Sequence, residues 1–337
     1  IFSLAGGDID LHRDRLQKVT VDDVTKVAGA YLKSSNRTSG MFLPTKEPDR
    51  ATVPALQDIA AVVKDYKGGE ALSAGEAFDP SPDAIEARLT RSALPSGLKV
   101  VFLPKKTRGS TVQAVIRLHF GNPTDLKGRK RAAEMAGSML MRGTSKHTRQ
   151  ELKDEIDRLK ATVRVDGAAT GAWVTIEATK ETLPQALRLA VEALREPTFP
   201  ATELELLRQE VIAAVEESKT DPRQLASTAA GRYLVPRTAD DPRYIATPEE
   251  MLESTKRVTV AEATQFHADF YGASDGEVGI VGDFDAKTTQ NLLNELLGAW
   301  KSPRPYVRLV TPYEERPALN QSIEAPDKQS AFMQASL

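Results

Sequence analysis

The sequence predicts an α+β fold, a mixed and mainly antiparallel β-sheet covered by α-helices. Three observations lead there. Between Thr111 and Phe120 the even positions (Val112, Ala114, Ile116, Leu118, Phe120) are apolar and the odd ones mostly polar, the period of a half-buried strand. Thr162 to Val165 and Ala172 to Ala178 read as a hairpin across Gly167 to Gly171. Helical stretches at Leu183 to Arg195 and Glu203 to Glu217 follow, the second with Leu204, Leu207, Val211, Ile212 and Val215 on one stripe. Strands that pair as neighbours, with helices grouped to cover one face, make a layered domain.

Composition narrows the function. With 337 residues, 40% hydrophobic and 27% charged, the chain can bury a sizeable core, and its length suggests about two domains. A net charge of −2 gives no long-range pull on phosphate, which argues against a nucleic-acid binder. Polar residues interrupt every apolar run well short of the ~20 residues that span a bilayer, so no membrane span is expected. The absence of cysteine removes disulfides, thiolate metal sites and cysteine nucleophiles, and is compatible with an oxidising compartment.

Taken in order, the chain opens on Ile1-Phe2-Ser3-Leu4, without an initiator Met or a secretory pattern, and stops on Phe332 to Leu337, which reads as the middle of a strand. The expectation is a piece of a longer protein. KVTVDDVTKVAGAYLKSSNRTSGMFLPT from Lys18 is echoed by RVTVAEATQFHADFYGASDGEVGIVGDF from Arg257; Lys18 and Arg257, like Gly40 and Gly279, lie 239 apart (257 − 18, 279 − 40). In each copy a Thr N-cap (Thr20, Thr259) has an acid three residues on (Asp23, Glu262), so the open donors of the first turn can be satisfied. An apolar helix face then ends near Tyr31 or Tyr271, before a polar turn and a strand. Lys46 to Leu89 is rich in Pro, Gly, Ala and charge and reads as a linker with one short helix around Leu56 to Tyr66.

From Arg88 the pattern becomes regular. Leu94-Pro95-Ser96-Gly97-Leu98 is a turn feeding a strand from Lys99 to Leu103, and AAEMAGSML (132–140) is a buried helix running into the turn Arg142-Gly143-Thr144. Thr148-Arg149-Gln150-Glu151 is a capping box opening a helix whose Leu152, Ile156 and Leu159 share a face. Val278 to Val281 is the last strand, and after Trp300 a Pro-rich joint (Ser302-Pro303-Arg304-Pro305) begins a new segment.

Little of this carries chemistry. The four histidines, His12, His119, His147 and His267, are scattered and read as surface or half-buried side chains rather than as a metal site. Nucleophile elbows and phosphate-cradling loops are missing; Gly121-Asn122-Pro123 and Asp166-Gly167-Ala168 read as plain turns. The acids Glu203, Glu205, Glu210, Glu216 and Glu217 read as a solvated helix face. Arg232-Tyr233 and Arg243-Tyr244 stand out, because an Arg beside a Tyr can grip a peptide carbonyl or an oxyanion; the plainer alternative is a Pro-bounded surface loop with a packed tyrosine.

The ordered set LPSGLKVVFLP, MLMRGT, DPRY, FYGASDGEVGIVGDFD and LLGAW resembles one half of a pitrilysin/insulinase-type (M16) zinc peptidase. The resemblance implies the metallohydrolase fold shared by LuxS and the mitochondrial processing peptidase, and a duplicated architecture. In it, residues 1–46 would end a preceding domain, 47–88 would link two halves, 89–301 would be a domain lacking zinc ligands, and 302–337 would start the next. The family's catalytic helix carries H-x-x-E-H, in which residues at i and i+4 share a face and two neutral imidazoles meet one Zn²⁺. Laid on this helix, the first ligand falls on Glu134, the general base on Gly137 and the second ligand on Ser138; the third-ligand acid falls near Ala213 or Ala214. Gly137 cannot take a proton and Ser138 is a poor zinc ligand.

The resemblance therefore implies no catalytic residue and no metal or cofactor in this chain, with zinc held by a catalytic half in the same chain or in a partner subunit. The small residues Ala133, Ala136 and Gly137 suggest a helix packed closely instead. The expected role is to hold peptides or unfolded polypeptides, partly as a strand added to a sheet edge. Arg243 and Tyr244, with Arg232 and Tyr233 in reserve, are the candidates for the pair that the family's non-catalytic half lends to substrate. The alternative is an inactive structural or assembly subunit of the same fold. A periplasmic or other extracytoplasmic bacterial location is expected.

Overall fold

The computed structural model describes residues 12, 14–16, 18–41, 64, 73–325 and 330–335. The chain divides into two compact units, Ile1–Leu72 and Ser73–Leu337. In the first, α1 (Val21–Tyr31) starts at a capping box in which Thr20 and Asp23 bond each other's backbone N–H, and none of its residues is buried. A single 3₁₀ turn, Ser34–Asn36, follows. The helix expected around Leu56 to Tyr66 lies, apart from Lys64, outside the described residues.

The second unit begins earlier than its composition suggests. Ser73 to Arg88, read from sequence as the end of a linker, is tied to the ends of the strands. The Glu76 carboxylate accepts from Arg88 (2.5 Å) and from the Lys106 backbone N–H (3.0 Å), and Arg88 also donates to the Pro104 carbonyl (2.9 Å). Phe78 lies under the Lys105 ammonium at 3.7 Å. The helix α2 (Pro82–Arg88), with Pro at its first turn, leads directly into the sheet.

Six strands form that sheet: β1 (Thr90–Ala93), β2 (Lys99–Pro104), β3 (Thr111–His119), β4 (Thr162–Ala168), β5 (Gly171–Thr179) and β6 (Gly276–Gly282). Their order is β1-β2-β6-β3-β5-β4. Only β2 and β6 run parallel; every other pair is antiparallel. The expected hairpin is the β4–β5 pair. Sequence neighbours do not all pair, however, because β6, the last strand in the chain, separates β2 from β3. Its alternate residues Val278 and Ile280 are buried, and at both ends a glycine with φ of +133° packs where a Cβ would meet backbone: Arg117 O at Gly276, Thr111 O at Gly282.

All helical cover lies on one face. Along β3 every second residue from Val112 to Leu118 is buried, and along β5 Ala172, Val174, Ile176 and Ala178 are buried while Trp173 on the other face is 42% exposed. The helices that follow in this unit are α3 (Lys130–Met139), α4 (Arg149–Arg158), α5 (Leu183–Arg195), α6 (Ala201–Ser218), α7 (Pro222–Leu234), α8 (Pro248–Arg257), α9 (Val260–Phe270) and α10 (Ala286–Leu297). α3 and α5 lie directly on β4 and β5, α9 and α6 pack on α3, and α8 packs on α6. α4, α8 and α9 each open with a Thr capping box, at Thr148, Thr247 and Thr259. α7 and α8 have no counterpart in the sequence reading, which assigns no element between Glu217 and Arg257. Beyond Trp300 the described residues are irregular, so the strand expected at the C-terminus is not formed over 330–335, where no neighbouring strand pairs with it.

Candidate functional site

The helix α3 buries Ala133, Met135, Ala136, Gly137 and Met139. It is fastened at its start by Arg129, which donates to Asp269 (2.5 Å), and by Lys130, which donates to the Tyr244 carbonyl (2.5 Å). At Gly137 the helix backbone lies against the β4 backbone: a Cβ there would sit 2.1 Å from the Gly167 carbonyl oxygen and 2.6 Å from the Gly167 Cα. Even an Ala does not fit. Gly167, read from sequence as a turn residue, is inside β4, and a Cβ on it would come within 2.3 Å of the Tyr271 hydroxyl. Helix, strand and tyrosine are thus stacked at glycine distance.

The neighbouring positions hold no metal donors in usable form. Glu134 is ion-paired to Arg131 at 2.8 Å, one turn back, and Ser138 is exposed. Ala213 and Ala214 on α6 are exposed and carry no carboxylate. One carboxylate neutralised by a guanidinium, one hydroxyl and a glycine pressed on a carbonyl do not fit Zn²⁺, which needs deprotonated or imidazole ligands in a tetrahedron.

Tyr271 closes the stack from the other side. Its ring packs on Phe120 (4.6 Å between centroids) and His267 (4.5 Å), and its hydroxyl is fully buried without a hydrogen-bond partner among the described residues. Burial, and then repulsion from Asp166, pushes its pKa up. His267 is buried too, which pushes its pKa down, and its Nε2–H donates to the Leu194 carbonyl (2.8 Å). This neutral imidazole is a packing element.

The Arg142-Gly143-Thr144 turn is a fastener. Arg142 reaches Glu210 (2.5 Å) and Glu203 (3.5 Å), and Glu203 also takes Arg149 (3.0 Å). Two of the five acids read as a solvated face are therefore partners of this turn. The Thr144 hydroxyl accepts from the His147 backbone N–H (2.9 Å) and donates to Glu192, a buried acid on α5 that also accepts from His147 Nδ1–H (2.7 Å). Ser145 and Lys146 bind Glu196 one turn along. His119 pairs with Asp275 (2.9 Å) and stacks on Tyr306. His12 is exposed.

The four Arg and Tyr candidates fall in one region, but not as two sequence-adjacent pairs. Arg232 and Tyr233 lie at the end of α7; Arg243 and Tyr244 lie in the loop before α8. The structure joins Arg232 to Tyr244: Nη1–H donates to the phenol oxygen (2.8 Å) and the guanidinium lies 5.0 Å from the ring centroid. Tyr244 in turn donates to Glu250 (2.8 Å). The Thr247 backbone N–H, followed by that phenol, holds Glu250 below the usual carboxylate range. Arg243 clasps Asp241 through Nε (2.9 Å) and Nη2 (2.7 Å) and donates to the Val310 carbonyl (2.5 Å). Tyr233 donates to the Pro317 carbonyl (2.5 Å). Two of the four groups thus grip backbone carbonyls of an irregular segment.

Residues 257–335 match the family described as the peptidase M16 inactive domain. Among solved structures, the fold is similar to the peptidase M16 inactive domain from Pseudomonas fluorescens (TM-score 0.55, 20% identity, 67% of this chain and 53% of that chain). It is similar to the first half of the periplasmic protease PqqL from Escherichia coli (0.56, 19%, 68% and 50%). It is also similar to the ferredoxin protease FusC, solved with Arabidopsis ferredoxin (0.53, 13%, 67% and 25%). The likeness therefore spans half or less of each of those chains. No curated protein matches the chain by sequence.

Gly137→Ala should destabilise the second unit by about 1–3 kcal/mol, read as a lower denaturant midpoint at unchanged slope, because the added methyl meets the Gly167 carbonyl. Tyr271→Phe should leave stability equal or raise it by up to about 1–3 kcal/mol in the same measurement, since a buried hydroxyl without a partner is removed. Arg243 lowers the Asp241 pKa from 3.8 to about 2. A depressed carboxylate stabilises the fold above its unfolded pKa and stops doing so as pH falls through its folded one. The gap in melting temperature between the native chain and Asp241→Asn should accordingly be full at neutral pH and close between about pH 4 and about pH 2.

Proposed function

We propose, from its fold and the match of its 257–335 segment to the peptidase M16 inactive domain, that this chain is a non-catalytic part of an M16 peptidase and holds extended polypeptide for a zinc metalloendopeptidase whose metal sits in a homologous half, in the same chain or in a partner subunit. The observation that carries this reading is the contact of Gly137 with Gly167. The position corresponding to the general base is filled by strand backbone, so hydrolysis has to be supplied elsewhere while the surrounding fold is kept intact.

Two features support a substrate-holding role. The outer strand β4 has a neighbour on one side only, and the Gly167 N–H there is satisfied by the side chain of Asp166 (2.8 Å) rather than by another strand. An extended peptide pairing on such an edge is read through its backbone, which suits unfolded substrates of varied sequence. Arg243 and Tyr233 already bind backbone carbonyls, those of Val310 and Pro317. The same donors would grip a peptide carbonyl, with Arg232 and Tyr244 braced behind them. Among the described residues no helix is long and apolar enough to cross a membrane. With PqqL described as periplasmic, we place the protein in an extracytoplasmic compartment.

The test uses the intact enzyme, this chain together with its zinc-bearing half, and an unstructured fluorogenic peptide. Arg243→Ala should lower kcat/KM by about tenfold, the loss of ~1.4 kcal/mol of transition-state binding, with zinc content unchanged and no larger fall in melting temperature than Asp241→Asn gives at neutral pH. Unchanged turnover would remove the Arg/Tyr group from the substrate path and leave a structural or assembly subunit as the better reading.

A further inference from the structure

After Trp300 the chain runs as an irregular segment over the loop 236–245 and the end of α7. Its first part is anchored. Arg304 pairs with Asp125 (3.1 Å), Tyr306 stacks on His119, the Val307 backbone N–H donates to the Gly121 carbonyl (2.9 Å), and Leu309 packs against the core. Beyond Leu309 apolar burial plays little part: Val310 is 64% and Tyr313 90% exposed. From Val310 to Pro317 the rest of the unit holds the segment through three hydrogen bonds. Arg243 donates to the Val310 carbonyl (2.5 Å), Arg237 to the Glu314 carboxylate (3.3 Å) and Tyr233 to the Pro317 carbonyl (2.5 Å). Two of the three are to backbone carbonyls, which any extended peptide offers. Pro312 and Pro317 have no N–H to leave unpaired.

The third contact answers a charge. The side chains of Arg237, Asp241 and Arg243 are 14, 17 and 27% exposed. Asp241 is taken up by two hydrogen bonds from Arg243 and lies 4.0 Å from Arg237. Two mostly buried guanidinium groups thus share one carboxylate, and Arg237 Nε has no hydrogen-bond partner among the described residues. A cation drawn out of water is costly unless an anion meets it. Glu314 is that anion, and its other partner, Arg316, belongs to the same irregular segment. The segment therefore brings its own acid to a positively charged recess.

We propose that the end of α7 and the loop 236–245 form a groove for an extended peptide bearing a carboxylate, that residues 310–317 occupy it as an internal stand-in, and that Arg237 selects the carboxylate. This rests on the reading that Arg243 and Tyr233 hold substrate, and it gives that reading a substrate class and a means of control. A peptide of about eight residues, the length from Val310 to Pro317, meets all three donors. A neutral one leaves Arg237 uncompensated and binds less well. Because the segment is tethered it competes at high effective concentration, and an incoming peptide binds only those molecules from which it has withdrawn. Its hold, without apolar anchors past Leu309, is weak enough to release.

Competition kinetics on the intact enzyme test it, with the unstructured fluorogenic peptide as reporter and a synthetic peptide of residues 306–318 as inhibitor. Inhibition should be competitive, and the same peptide with Glu314→Gln should inhibit about threefold less well, the discrimination that a part-exposed ion pair gives. On the Arg237→Gln enzyme the two peptides should inhibit alike. Within the enzyme itself, Glu314→Gln should lower the reporter KM by about threefold at unchanged kcat, because the tethered segment then withdraws more often. Glu315→Gln, the same charge change at an exposed neighbour, should leave KM where it is. If Arg237→Gln does not fold, the two peptides on the native enzyme and the Glu314→Gln enzyme still decide the matter. Equal inhibition by the two peptides on the native enzyme, or an unchanged KM in Glu314→Gln, would overturn the inference, while a loss of turnover in Arg243→Ala would leave the reading beneath it standing. Failure of that reading has another signature and overturns both: Arg243→Ala would change neither kcat nor KM, and neither peptide would inhibit.

Discussion

The contact between the α3 and β4 backbones at Gly137 and Gly167 is the constraint on which the second unit turns. It brings a helix to within a side-chain-free distance of a strand, and the Tyr271 hydroxyl presses on the same glycine from the far side. A close approach of this kind is possible only where both residues lack a Cβ. It fixes the depth at which α3 sits, and with it the positions of α9 and α6, which pack on α3. The same constraint decides the chemistry. A carboxylate at position 137 has no room, and without one the i and i+4 positions, Glu134 and Ser138, face a surface ion pair and solvent.

Below α3 the fold is held by polar fasteners as well as by apolar burial. Glu192, buried on α5, is the acceptor for both Thr144 and His147, and Arg142 ties the same turn to α6. A buried carboxylate is tolerated because its oxygens are taken up by donors. The Arg-Gly-Thr turn, which in sequence looks like the flank of an active site, thus has an architectural use independent of catalysis.

Much of this was legible where a local rule decides. The alternation from Val112 to Phe120, the capping boxes at Thr148 and Thr259, and the small face of the helix at Ala133, Ala136 and Gly137 each announce their structure within a few residues. Gly167 did not, because the reason for that glycine is on another element, over twenty residues away in sequence. Ser73 to Arg88 looked like linker by composition; what fixes it is a single acid, Glu76, reaching Arg88 at the end of α2 and the Lys106 backbone just beyond β2. α7 was missed because it buries no residue, leaving no apolar stripe to read. The Arg232–Tyr244 union was hidden because the two residues lie twelve apart in sequence, while adjacency along the chain set Arg232 beside Tyr233.

The place of β6 in the sheet bears on how the molecule is made. Emerging last of the six, it has to slide between β2 and β3, so that two strands on one side and three on the other must wait unjoined while more than 150 residues of helix and hairpin are synthesised, from His119 to Gly276. Such long-range closure is slow and leaves open strand edges on the nascent chain. Ribosome-bound chains ending before Gly276 would therefore be the form in greatest need of chaperone shelter, and release of the strand Gly276–Gly282 from the exit tunnel would be the step that ends that need.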